Sequence, residues 1–336
     1  NIEHSGLKRA TYGTGTEGKE NRMEVQHQDS VRKISDNSPV TLTVAGNIRE
    51  ILFQSSKQKG SAILVLDKDS YIYLPTGEMF YFNHKDKRMQ DPNEVRRTMR
   101  RAAFIINANT ADTSRCRWLT LTYAENMQDC KKLRRDFDNF KERLQAHCGH
   151  FEYIVCAEPQ ARGAWHLHVI LIFPGKAPFL ANDLVSACWK KGYVNVRALG
   201  DNDNVGLYLT SYLADIPLKD LIWDKNFRDE KGRLRQPEDF ELGGVLCEKE
   251  IGSGKHLKKK RIVKGVRLYM YPAGMRIFRY SRGVVRPESR EMTYAEAKKE
   301  VEGLACTYVS DVVLSDGDEF QKEIVKEHYN IKRKKK

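Results

Sequence analysis

Between Trp165 and Phe173 the chain alternates, setting Trp165, Leu167, Val169, Leu171 and Phe173 on one side of a strand and His166 and His168 on the other. A period of two sustained over this run predicts a strand with one face in a core and the other presenting two imidazoles. Upstream, Phe151–Ala157 reads as a second strand and Pro159–Gly163 as the turn that joins them. With the turn centred near Arg162, Glu158 falls opposite His166, where directly paired residues have Cβ atoms about 4.5–5.5 Å apart. Two imidazoles and a carboxylate then converge. That donor set suits Mn²⁺ or a hydrated Mg²⁺, whereas an all-thiolate shell would have meant zinc.

The segments around this hairpin define its surroundings. Trp118–Tyr123 reads as a strand and Asp129–His147 as a helix, whose Leu133, Phe137, Phe140 and Leu144 recur at helical spacing as a core face. A helix over Ala181–Lys191, a strand over Tyr193–Ala198 and a helix over Val205–Leu213 follow. This order predicts an α+β fold, an antiparallel β-sheet with helices packed on one face. Short alternating segments (Thr41–Val44, Ala62–Leu66, Tyr71–Leu74, Met79–Phe82) predict a small β-rich N-terminal region, and a basic helix over Asn93–Asn107 begins after Asp91-Pro92. The expected organisation is a mobile polar arm over 1–39, the β-rich segment over 40–90, the main domain over 91–240 and a basic C-terminal extension over 241–336.

Charge narrows the partners. With 58 Lys and Arg against 45 Asp and Glu, the formal net charge is +13, which points to a polyanion, nucleic acid before membrane. The longest apolar stretches, such as Val169–Phe173, fall far short of the roughly 20 residues that span a bilayer. No secretion leader is read at the start, so a cytoplasmic protein is expected. The 7 cysteines are odd in number and widely scattered, which reads as reduced thiols and not a disulfide framework or zinc site. Gly13–Lys19 imitates a phosphate-binding loop, but Glu20 stands where Ser or Thr should hold magnesium and no apolar strand precedes it; Gly252-Ser253-Gly254-Lys255 fails in the same way. An ATP site is not expected.

Tyr208-Leu209-Thr210-Ser211-Tyr212 places two phenols at i and i+4, one turn apart on one helical face. A phenol, with an ordinary pKa of about 10, is a poor nucleophile at neutral pH. A metal that polarises the scissile phosphate supplies the missing activation. A covalent phosphotyrosine keeps the phosphodiester energy, so a strand cut this way rejoins without ATP.

Three ordered segments, Trp118–Asn126, Glu158–His168 and Asn204–Tyr212, resemble the motifs of rolling-circle replication initiators in the His-hydrophobic-His (HUH) endonuclease superfamily. The resemblance is to replication-associated proteins of Gram-positive plasmids, integrative elements and small single-stranded DNA phages, and it runs from about Asn93 to Arg290 through Tyr269–Arg286. It implies that His166 and His168 ligate Mg²⁺ or Mn²⁺ with Glu158 as third ligand. Tyr208 and Tyr212 become the nucleophiles of a metal-dependent DNA endonuclease and strand transferase. The strand that carries Thr120 and Thr122, with Asn126 at its exit, would hold DNA near the site. Relatives often have lysine before the second tyrosine where this chain has Ser211, a role Lys190, Lys191 or Lys219 could take.

Beyond the site, Arg267, Tyr269, Tyr271, Arg276, Arg279, Tyr280, Arg282 and Arg286 interleave bases with aromatics, a pattern suited to single-stranded DNA. Arg162, Arg276, Arg279 and Arg282 are the arginines expected on DNA. The expected substrate is single-stranded origin DNA, with a host helicase and polymerase as partners. The alternatives are a relaxase or transposase of a mobile element and a non-catalytic DNA-binding regulator on the same fold.

Overall fold

The computed structural model describes residues 24–27, 32–57, 63–74, 76–81, 92–160, 163–200, 204–214, 216–217, 246–251, 258–263, 266–272, 275–315 and 321–334. Up to the first long helix the strands are β1 (Glu24–His27), β2 (Pro39–Ala45), β3 (Ile48–Lys57), β4 (Ile63–Val65), β5 (Ser70–Tyr73) and β6 (Glu78–Tyr81). There follow α1 (Pro92–Asn109), β7 (Cys116–Thr122), α2 (Cys130–Cys148), β8 (Glu152–Pro159), β9 (Trp165–Ile172), α3 (Asn182–Trp189), β10 (Val194–Ala198) and α4 (Val205–Ala214). The remainder comprises β11 (Ile216–Pro217), β12 (Leu246–Ile251), β13 (Lys258–Val263), a 3-10 turn (Val266–Met270), β14 (Phe278–Tyr280), β15 (Glu288–Thr293), α5 (Tyr294–Glu300), β16 (Leu304–Ser315) and β17 (Gln321–Lys334). The chain divides into two compact units, residues 1–84 with 287–336, and residues 85–286.

The first unit is a six-stranded antiparallel sheet in the order β1-β16-β17-β3-β2-β15, with a separate β4-β5-β6 meander. Its apolar core joins Val40, Leu42 and Ile51 to Ala297 of α5, to Val301 just after it and to Tyr329. A capping box starts α5: the Thr293 hydroxyl accepts from the Glu296 amide while the Glu296 carboxylate accepts from the Thr293 amide. Two expectations are corrected here. Within the 1–39 segment, residues 24–27 form β1, paired with β16, and Arg32 holds the buried Asp311 at 2.7 Å; residues 1–23 and 28–31 lie outside those described. The run 241–336 is not a single extension either. Phe278–Tyr280 joins the sheet of the second unit, while β15, β16 and β17 build the first. Buried carboxylates of the inner strands are matched, Glu50 of β3 by His328 of β17 at 2.7 Å and Glu327 of β17 by Lys298 of α5 at 3.0 Å, which lets a polar sequence form inner strands.

The second unit is α+β as expected, but its helices pack on both faces of the sheet and not on one, because each face of the central strands carries large side chains that need cover. Its five-stranded antiparallel sheet runs β10-β7-β9-β8-β14. Leu167, Val169 and Leu171 of β9 share one face with Leu119, Leu121, Val155 and Ala157. Helices α2 and α3 cover that face, Phe137 packing on Tyr153 at 5.1 Å and Phe140 on Trp189 at 5.8 Å between ring centroids. Asp129 caps α2 by accepting from the Lys131 and Lys132 amides at 2.7 and 3.1 Å. A further pair of helices, α1 packed along α4, lies on the opposite face, where the Tyr208 ring meets Trp118 of β7 at 5.5 Å. That second face carries both histidines. A smaller sheet, β11-β13-β12, also belongs to this unit.

Candidate functional site

The hairpin register is the one the alternation required. Glu158 pairs with His166 and Cys156 with His168 across β8 and β9, while Thr120 and Thr122 of β7 pair with His168 and His166 from the other side. Paired residues point to the same face of a sheet. Thr120, Thr122, Glu158, His166 and His168 therefore share one surface, with Trp118 beside them. His168 and Glu158 are both buried, and the Nε2 of His168 is hydrogen-bonded to Oε2 of Glu158. The rings of His166 and His168 meet edge-on at 6.4 Å.

The second oxygen of Glu158 meets the guanidinium of Arg267, which is buried in the 3-10 turn and also donates to the Pro159 carbonyl oxygen at 2.7 Å. Burial by itself would raise the Glu158 carboxyl, but the hydrogen bond with His168 and the charge of Arg267 outweigh it and hold the group below the usual glutamate value. Cys156 is a different neighbour: full burial pushes its thiol up to about 12, so it stays protonated and apolar in character. The donors on this face are thus two imidazoles and one ionised carboxylate, the right kinds for Mg²⁺ or Mn²⁺. Among the described residues no three such groups form a liganding cluster, and Glu158 is engaged by His168 and Arg267.

Helix α4 is fixed against this face at both ends. At its start, the Asn204 side chain accepts from the Leu207 amide at 3.0 Å, while Asn107 of α1 donates to Asn204 at 2.9 Å and accepts from the Gly206 amide at 2.8 Å. Gly206 allows the close approach, because a Cβ there would stand 2.2 Å from the Ala103 carbonyl oxygen. At its end, the buried Tyr271 hydroxyl lies 2.8 Å from the Ala157 carbonyl oxygen and 3.2 Å from that of Leu213. Burial raises the Tyr271 phenol well above its ordinary value, so it serves as a neutral donor.

Tyr208 comes to this face partly exposed, with Trp118 between it and His168 at 5.5 and 6.0 Å between ring centroids. Tyr212 lies one turn further along α4; its side chain and that of Ser211 are outside those described. Of the lysines considered beside Ser211, Lys191 is paired with Asp136 at 3.8 Å and Lys219 is outside the described residues. Asn126 is exposed in the β7–α2 connection beside Gly163. Arg162 lies outside the described residues.

The remaining arginines are not brought to the histidine face. Arg279 points to the α2 side, its guanidinium 5.3 Å above the Phe137 ring and 3.6 Å from Asp138. Arg276 is exposed just before β14, and Arg282 is exposed in the turn beside Glu152, at the end of β8 remote from Glu158. Arg267 and Tyr271, read in sequence as part of a basic and aromatic pattern suited to single-stranded DNA, are buried supports. Trp118 and Asn107 were missed. Trp118 shares the parity of Thr120 and Thr122 along β7, which was a usable signal; nothing local marks Asn107.

All three strands and the helix of this site fall in one stretch of chain. Residues 116–216 match the family model of the replication-associated protein ORF2 family. The matched stretch contains every residue expected to hold metal or act as nucleophile. Arg267 and Tyr271 lie beyond it. No curated protein and no solved structure matches the chain. No described helix is long and apolar enough to cross a membrane.

Proposed function

We propose that the chain initiates rolling-circle DNA replication by nicking single-stranded origin DNA and joining itself to the cut end through Tyr208 or Tyr212. The observation that carries this reading is the register of β7, β8 and β9. It gathers Glu158, His166 and His168 on the face against which the tyrosine helix lies, within the stretch matched to the replication-associated protein ORF2 family. Glu158, His166 and His168 would hold Mg²⁺ or Mn²⁺, which supplies Lewis-acid polarisation of the scissile phosphate and stabilises its developing charge.

The chain's own residues do the rest. The tyrosine oxygen forms a bond to phosphorus as the bond to the 3′ oxygen breaks; the phenolic proton ends on the departing 3′ hydroxyl, and the 5′ phosphate stays on the tyrosine. The reverse transfer rejoins the strand. Thr120, Thr122 and Asn126 border the face where the DNA would lie, and the exposed Arg276 and Arg282 add to phosphate attraction. A helicase and a polymerase from the host would open and copy the duplex.

Single-stranded oligonucleotides tiled across the DNA flanking the gene test this directly. One should be cut at a single position with Mg²⁺ or Mn²⁺ and left intact with EDTA, and His166→Ala should bind it without cutting. Uniform failure of the wild-type chain to cut under either ion would contradict the reading and favour a DNA-binding protein without catalysis.

A further inference from the structure

The segment Val266–Tyr271 lies outside the stretch matched to the replication-associated protein family, yet it touches both halves of the site. Its Arg267 grips the Glu158 carboxylate and the Pro159 carbonyl oxygen at 2.7 Å, which fixes the end of β8. Its Tyr271 hydroxyl sits between the Ala157 carbonyl oxygen on β8, at 2.8 Å, and the Leu213 carbonyl oxygen in the last turn of α4, at 3.2 Å. Leu213 is followed closely by the end of its helix, where backbone carbonyls have no intrahelical partner, so the hydroxyl supplies one. Trp165, the first residue of β9, closes the group with its ring 5.9 Å from that of Tyr271.

We infer that Val266–Tyr271 is a bracket that sets the spacing between the tyrosine helix and the Glu158–His166–His168 face, with Arg267 and Tyr271 as positioning residues. The inference rests on the nicking reading for its purpose, but the bracket itself is a statement about α4 and β8. One buried phenol oxygen stands within hydrogen-bond distance of both elements at once. A shift in either element breaks one of its contacts. Positioning of this kind acts on the rate of the chemical step and not on DNA affinity, because the nucleophile must stand close to in-line with the phosphate.

Tyr271→Phe in the full chain is the test, since it removes the hydroxyl and keeps the ring that packs on Trp165. Amide hydrogen exchange over 205–214 should quicken by about tenfold, while exchange over β9 stays as in the wild type. Single-turnover nicking should slow by about tenfold with the apparent affinity for the oligonucleotide unchanged. Arg267→Met removes the cation whose one nitrogen meets both the Glu158 carboxylate and the Pro159 carbonyl oxygen, and should also slow nicking without weakening DNA binding. Unchanged exchange over 205–214 in Tyr271→Phe would overturn the bracket, as would a loss confined to DNA affinity. The exchange measurement needs neither DNA nor metal. A wild-type chain that never nicks would therefore sink the nicking proposal while the bracket is still judged on exchange alone.

Discussion

Replacing Gly206 by alanine tests whether α4 is set by its contact with α1. The new Cβ would stand 2.2 Å from the Ala103 carbonyl oxygen and 2.8 Å from the carbonyl carbon and Cα of the same residue, where ordinary contact begins at 3.4 Å. The helices must therefore part by roughly 1 Å, and overpacking of this kind costs about 1–3 kcal/mol. Backbone meets backbone here, with no rotamer to relieve the clash, so the cost falls near the upper figure. Alanine's better helix propensity offsets about 1 kcal/mol. The net loss is about 2 kcal/mol, equivalent to a fall in Tm of about 4–8 °C for a unit of this size. A displacement of about 1 Å at the tyrosine would also slow nicking by up to about 100-fold. Calorimetry and single-turnover cleavage measure the two effects. Gly175→Ala, where an added Cβ meets nothing within 4 Å, is the matched control. A Gly206→Ala protein that melts and nicks like the wild type would refute the reasoning.

Other perturbations have equally definite outcomes. Asn107→Leu leaves the buried Gly206 amide without its acceptor and should cost about 1–3 kcal/mol in thermal unfolding, with loss of nicking larger than its loss of DNA binding. In the first unit, burial would raise the Glu327 carboxyl, but hydrogen bonds from Tyr329, Tyr294 and Lys298 prevail and hold it below its usual value. A depressed folded pKa gives stability that is fully present above the unfolded value of about 4.3 and is lost as pH falls through the folded one. Glu327→Gln should therefore flatten the acid limb of the Tm–pH curve between about pH 5 and 3, and an identical slope in the two proteins would contradict the assignment.

Legibility in the sequence followed how local the causes were. The β8–β9 hairpin was readable because a period of two and a Pro/Gly-flanked turn sit in adjacent residues, and α2 was readable because Leu133, Phe137, Phe140 and Leu144 repeat at helical spacing. Strand β17 was hidden. Its Glu327 and His328 look like solvated charge until Lys298 and Glu50 are seen beside them, and Arg32 and Asp311 are 279 positions apart. Strand β3 went unread for a related reason: Glu50 interrupts its apolar pattern and is buried because His328 partners it. The alternation of Arg267 and Tyr271 misled, since a stripe of arginine and tyrosine looks the same whether it faces solvent or reaches inward to cap a helix and hold a carboxylate. The candidate site was largely legible because its residues recur in order within short motifs. Its supports were not, because Asn107, Arg267 and Tyr271 act through contacts across the fold.

The central claim is that a tyrosine of α4 becomes joined to DNA, and the most direct measurement is the covalent adduct itself. With Mn²⁺ and a labelled oligonucleotide that the chain cuts, a protease-sensitive adduct should form, and peptide mass spectrometry should map the linkage to Tyr208 or Tyr212. The Tyr208→Phe/Tyr212→Phe protein should form none while still binding the same DNA. Undiminished adduct in that double variant, or a linkage mapped to any other residue, would contradict the account.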